Sequence, residues 1–197
     1  DDPAAEVPAY VAIGSSPQPG ILGPKFGPMV VQDVNNLAPA LTLPEGFAES
    51  RMQRRLDVLE QFNTQFGQEF RTGLGGDLTA LTRKADRMRR SPVFRPYDAA
   101  GEEPEAYERY GGGAGDFLAR ATIAARRLIE AGVKFVEIQY GGWDTHGDNF
   151  NCLKKYLLPN FDRAFSAFME DMASSGLLDE TLVLVTSEMG RTPKVGD

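Results

Sequence analysis

The sequence predicts an α/β domain with a mostly parallel central sheet flanked by helices. Three observations predict it. From Gly115 to Thr186 the hydrophobic pattern runs helix, strand, loop, helix, strand, an order that needs right-handed crossovers between parallel strands. Leu182-Val183-Leu184-Val185-Thr186 is continuously apolar up to its last residue, as expected of a strand buried on both faces. The densest polar chemistry follows the predicted strands, at 140–150 and 187–197, where open parallel sheets gather their ligands.

Each element has a local cause. Residues 7–13, Val-Pro-Ala-Tyr-Val-Ala-Ile, are short, apolar and β-prone, and predict a buried strand. Residues 14–46 carry Gly14, Pro17, Pro19, Gly20, Gly23, Pro24, Gly27, Pro28, Pro39, Pro44 and Gly46, a density that predicts one long irregular loop. Met52, Leu56, Leu59, Phe62 and Phe66 recur at helical steps and predict a helix from Ala48 to about Phe66, with Ser50 as candidate cap. A second helix is predicted from Leu78 to Met88, capped by Asp77 and ended by Ser91-Pro92. Residues 91–113 read as irregular, apart from a short helix opened by Pro104 and a turn or hinge at Gly111-Gly112-Gly113. Gly115 to Ala131 predicts a helix that stops at Gly132, and Val133 to Gln139 a strand. After the Gly-rich loop 140–150, helices are predicted at 152–158 and, following Pro159, from Asn160 to Ala173. The organisation is a single domain over 1–197, with a helical insertion at 47–113 and the core unit at 114–197.

Composition narrows the function classes. Lys and Arg number 21 against 28 Asp and Glu, a formal charge of -7, so no broad cationic face exists for nucleic acid. The local basic clusters Arg51-Met52-Gln53-Arg54-Arg55 and Arg83 to Arg90 read as solvated helix faces. The single cysteine, Cys152, excludes an internal disulfide and a thiolate metal cluster. No apolar run is long enough to span a membrane.

The sole histidine, His146, stands in Gly141-Gly142-Trp143-Asp144-Thr145-His146, directly after a predicted strand. Asp144 and His146 are two residues apart in a loop, a spacing that lets a carboxylate and an imidazole reach one divalent ion. The plainer reading makes Asp144 a turn cap and His146 a hydrogen-bonded surface residue. A second candidate is Thr186-Ser187-Glu188-Met189-Gly190-Arg191-Thr192. A carboxylate at a buried strand end needs a partner, so Glu188 is a candidate metal ligand, and the Arg191 guanidinium suits a phosphate, sulfate or carboxylate. The plainer reading here is a Glu188–Arg191 ion pair. Ser187 lacks the Gly-x-Ser-x-Gly context of a hydrolase nucleophile.

These two motifs, with Asn149-Phe150, Leu158-Pro159-Asn160-Phe161-Asp162 and Gly176-Leu177-Leu178-Asp179, resemble the bacterial domain-of-unknown-function 1501 family. Tyr10-Val11-Ala12-Ile13-Gly14 and Leu22-Gly23-Pro24-Lys25-Phe26-Gly27-Pro28 extend the resemblance, which is strongest from Arg126 to Pro193. It implies kinship with sulfatases and alkaline phosphatases, hence an alkaline-phosphatase-like fold present as a partial domain. It also implies a divalent-metal site (Zn, Ca, Mg or Mn) with Asp144, His146 and Glu188 as ligands and Arg191 steadying an anionic substrate. The expected activity is hydrolysis of small-molecule or polysaccharide sulfate or phosphate esters.

Met189 follows Glu188 where the superfamily places a histidine ligand, so a standard two-metal site is not expected. Family segments of the Gly-Gly-Pro-Ser-His and Gly-Arg-Asp-His-Trp types are missing. The expectation is therefore a chain truncated at both ends, holding at most half of an active site and inactive alone, with the nucleophile outside it. The rival expectation is a non-catalytic scaffold, or a module that holds anionic polysaccharide. Kinship also implies an exported, extracytoplasmic protein. Nothing in the sequence speaks to oligomeric state.

Overall fold

A computed structural model of the chain describes residues 7–15, 18–34, 42–91, 104–112, 116–187 and 190. Its centre is a parallel three-stranded sheet. Strand β1, Tyr10–Ile13, lies between β2, Met29–Val31, and β3, Phe135–Ile138. The register sets Val11 beside Met29 and Val136, and Ile13 beside Val31 and Ile138. Val11, Ala12 and Ile13 are fully buried, as the middle strand of a covered parallel sheet requires. All three strands run the same way, so the segments leaving β1 and β3 emerge at one rim.

The predicted α/β class therefore holds, with two differences in the strands. Residues 14–46 are not one irregular loop, because β2 lies within them. Gly27 and Pro28 precede that strand rather than interrupt it, and Val31 and Val34 reach the core. Residues 182–186 do not form a strand. Val183 packs against the core, but Leu182 and Leu184 are 91% and 76% exposed. Apolarity on both sides of a segment gives it the capacity for burial. Here the described residues cover one side only, and no ladder to β3 forms.

Behind the sheet, helix α4, Phe117–Glu130, packs on β3 and on α6, Leu158–Ser174. Asp116 caps α4, accepting a hydrogen bond from the Ala119 N–H at 3.0 Å. Gly132, at φ 93°, ends it. There the N–H groups of Gly132 and Val133 donate back to the carbonyls of Ile129 and Leu128, a Schellman closure. Ile123 and Leu128 of α4 share one buried core with Ala167, Phe168 and Met172 of α6.

The approach to α6 differs from expectation. Two helices broken at Pro159 were predicted; one continuous helical run is observed. It comprises α5, Asn149–Cys152, a π-helical turn, Leu153–Leu157, and then α6. Pro159 brings no N–H to the carbonyl of Lys155, and its ring would crowd that carbonyl in a regular turn. Widening the preceding turn relieves the crowding without ending the helix.

The insertion is a helical hairpin, α1, Glu49–Glu69, and α2, Leu74–Arg90. Ser50 lies inside α1 and caps nothing; the capping position is Ala48. Helix α2 begins a turn earlier than predicted, so Asp77 sits in its first turn. Gly75 is where the two helices cross. A Cβ there would stand 2.1 Å from the Asn63 carbonyl oxygen. Gly75→Ala is therefore expected to destabilise the chain by about 1–2 kcal/mol, overpacking outweighing the gain in helix propensity. A lower urea midpoint would show it; an unchanged or raised midpoint would contradict the crossing.

The basic clusters act locally. Arg89 makes a two-pronged bond to Glu49, both contacts at 2.7 Å, and Arg83 reaches Asp57 at 3.0 Å. Arg51 and Arg55 lie over the Phe47 ring. Helix α3, Pro104–Arg109, forms as its proline predicts. Asp171 of α6 draws three elements together: it accepts a hydrogen bond from the Tyr110 hydroxyl at 2.6 Å and pairs with Arg109 and with Arg126 of α4. Among the described residues no helix is long and apolar enough to cross a membrane.

Candidate functional site

The loop that leaves β3 runs from Gln139 to Asp148 and carries the predicted Asp144–His146 pair. Its conformation is unusual. Gly142 has φ 90°, and two residues with side chains, His146 and Asp148, have φ 54° and 45°. A positive φ at a non-glycine residue costs on the order of 1 kcal/mol, least for Asn, Asp and His.

What holds the loop is aromatic packing and local polar contacts. Trp143 meets Tyr140 and Phe161 edge-on, both at 6.1 Å between ring centroids, and Phe161 stacks on Phe165 at 5.2 Å. The loop is thereby fixed to α6. Thr145 Oγ1 donates to Asn149 Oδ1 at 3.0 Å, and Asn151 Nδ2 donates to Asp148 Oδ1 at 2.6 Å. These contacts tie the loop to the first turn of α5. At Gly142 a Cβ would meet Leu157 of the π-helical turn at 3.5 Å.

This scaffold presents Asp144 and His146 together. His146 Nε2 lies 3.2 Å from Asp144 Oδ2, with the side chains 84% and 61% exposed. The imidazole is therefore open to solvent, not lodged among apolar neighbours. An exposed pair of this kind adds between roughly 0 and 1 kcal/mol to stability, which does not offset the backbone cost of the loop. Donors sharing one ion at bonds of about 2.0–2.2 Å stand roughly 3–3.5 Å apart. The pair has the spacing and the mixed O/N chemistry of two neighbouring ligands. Among the described residues no group of three or more metal-ligating side chains assembles. Glu188 and Arg191, the other two predicted site residues, lie outside the described residues.

Polar side chains that the sequence reading missed meet across β1 and β3. The register that sets Ile13 beside Ile138 brings Ser15 to Gln139, and the Ser15 hydroxyl donates to Gln139 Oε1. Gln139 Nε2 donates to Glu137 Oε1 at 3.1 Å, and the Tyr10 hydroxyl donates to the other oxygen of Glu137. Gly14, at φ 99°, lets the two strand ends approach: a Cβ there would lie 3.0 Å from the Gln139 carbonyl oxygen. The available signal was Gly14-Ser15 ending a strand, but the partner is 124 residues away. A shallow depression on α1, lined by Asp57, Glu60, Gln61, Thr64 and Gln65, belongs to the hairpin surface and holds no comparable chemistry.

Comparison with curated proteins and with solved structures gives no match. A family model does match, over residues 2–197. That span takes in β1, the hairpin, the Gly141–His146 loop and the Glu188–Arg191 segment alike. The chain accordingly belongs to the family described as Protein of unknown function (DUF1501).

Proposed function

We propose that this chain carries part of the metal-binding rim of a hydrolase acting on sulfate or phosphate esters, within an alkaline-phosphatase-like α/β domain. The carrying observation is the Asp144–His146 pair, 3.2 Å apart and exposed, on a loop anchored beyond the carboxyl end of a parallel strand. Asp144 and His146 supply two donors to one divalent ion (Zn, Ca, Mg or Mn), and Glu188 a third. Such an ion, when bound, neutralises charge on ester oxygens and lowers the pKa of a coordinated water. Arg191 orients the anionic ester by its planar fork of N–H donors. The edge-on contact of Trp143 with Phe161, itself stacked on Phe165, keeps the loop in place, so the two donors need little reorganisation to act together.

A second reading rests on Met189. With methionine at the position after Glu188, a two-metal site lacks a ligand, which favours a scaffold or a module that holds anionic polysaccharide without turnover. Hydrolysis of p-nitrophenyl sulfate and p-nitrophenyl phosphate by the protein purified from its own cells separates the readings. The hydrolase reading expects turnover that a chelator abolishes and a divalent metal restores. Retention of a sulfated polymer with no turnover of either ester would support the second reading instead.

A further inference from the structure

The hairpin carries an apolar stripe that no other described residue covers. On α1, Val58, Leu59, Phe62 and Phe66 are large and exposed; Val58 and Leu59 lie four and three residues before Phe62 and Phe66 four after it, with Phe62 at 64% exposure. Helix α2 packs on a different side of α1, against Asn63 and Gly67, where Asn63 Nδ2 donates to Thr79 Oγ1 and Gly75 abuts Asn63. With Phe70 at the end of the helix, the stripe exposes roughly 400 Å² of apolar surface, the size of the largest patch expected on a monomer and often a functional one.

The charges that flank the stripe say what covers it. Arg55 lies seven residues before Phe62 and Glu69 seven residues after, so all three share one line along α1. A second copy of α1, laid antiparallel about a two-fold axis at Phe62, sets Arg55 opposite Glu69 of the partner subunit. The symmetry repeats that pair at the other end. The same axis sets Phe62 against its own counterpart and Val58 against Phe66 of the partner subunit. Neither Arg55 nor Glu69 makes an ion pair among the described residues; Arg55 lies over the Phe47 ring, 4.9 Å from its centroid. A parallel arrangement would oppose like charges at both ends.

We infer that α1 is a homodimer interface, an antiparallel two-fold pairing centred on Phe62 and closed by reciprocal Arg55–Glu69 ion pairs. Such an interface is isologous and self-limiting, so it gives a dimer and not a filament. Pairing two stripes buries roughly 800 Å² of apolar surface, enough for the centre of a standard interface of about 1,600 Å².

Sedimentation equilibrium with charge-swap variants tests this. The wild-type chain is expected to be a dimer. Arg55→Glu and Glu69→Arg each set like charges together twice, and each is expected to raise the dissociation constant at least ~10-fold. Their equimolar mixture restores both attractive pairs and is expected to regain the dimer as a heterodimer, which a fault in folding would not do. Phe62→Lys is expected to give a monomer with unchanged helical circular dichroism. A wild-type monomer at all concentrations would overturn the inference. So would single swaps that dimerise as well as wild type, or a mixture no tighter than its components.

Discussion

His146→Ala is expected to weaken divalent-metal affinity by at least ~100-fold and to lower any ester hydrolysis by a similar factor. Loss of a residue that merely orients a ligand costs about 10–100-fold, and a direct ligand is expected to exceed that. The loop should survive the change. Trp143 remains packed on Phe161, and Thr145 and Asp148 keep their contacts with Asn149 and Asn151. Relief of the positive φ at position 146 is not expected, because alanine tolerates that region less well than histidine. His146→Asn, which accepts a left-handed backbone, is the better control for strain. It should keep the fold and still lose the metal. Calorimetric titration with Zn²⁺ measures both variants; unchanged affinity in either would remove His146 from the ligand set.

The second large effect concerns stability. Asp171→Ala is expected to destabilise the chain by about 3 kcal/mol, since it leaves the buried Tyr110 hydroxyl without its acceptor and Arg109 without its carboxylate, while Arg126 keeps only its pair with Glu130 of the two carboxylates. Burial pushes the Asp171 carboxyl up, but hydrogen bonds from Arg109 and Tyr110, and the charges of Arg109 and Arg126, outweigh it and hold the group below its ordinary range. Its contribution is therefore complete above the unfolded carboxylate value of about 3.9 and is lost as pH falls through the lower folded value. The stability gap between wild type and Asp171→Asn should be widest near neutral pH and narrow below about pH 4. Urea unfolding across that range measures it. A gap that stays constant into acid would mean that the carboxylate charge is not what clamps α3, α4 and α6.

Elements with a complete local signal were legible in the sequence. Helix α4 has its apolar positions, Leu118, Ile123 and Leu128 among them, and its stop in Gly132 within one short segment, and the structure adds the cap at Asp116. Strand β2 was not, because three residues that follow Gly27 and Pro28 acquire strand character only through their register with β1. At Pro159 the chemistry pointed to a break, and the chain instead widened one turn, an outcome that depends on how the helix is held at both ends. The apolar run 182–186 shows the converse limit: a pattern states what a segment can bury, not what stands next to it.

The site divides in the same way. Asp144 and His146 were visible because both donors lie in one loop, while Ser15, Gln139 and Glu137 come together through strand pairing across more than a hundred residues. The left-handed backbone at His146 and Asp148 is likewise a product of the Trp143 anchor and the turn into α5, not of their residue types alone.

Because the chain holds a single imidazole, one spectrum can decide whether it takes a metal. The direct measurement is the long-range ¹H–¹⁵N correlation of His146 during titration with Zn²⁺. The account predicts that one ring nitrogen moves to the metal-bound position at stoichiometric zinc, and that Asp144→Asn weakens this change. An imidazole that keeps its metal-free shifts and titrates with pH as before, at any zinc concentration the fold tolerates, would contradict it.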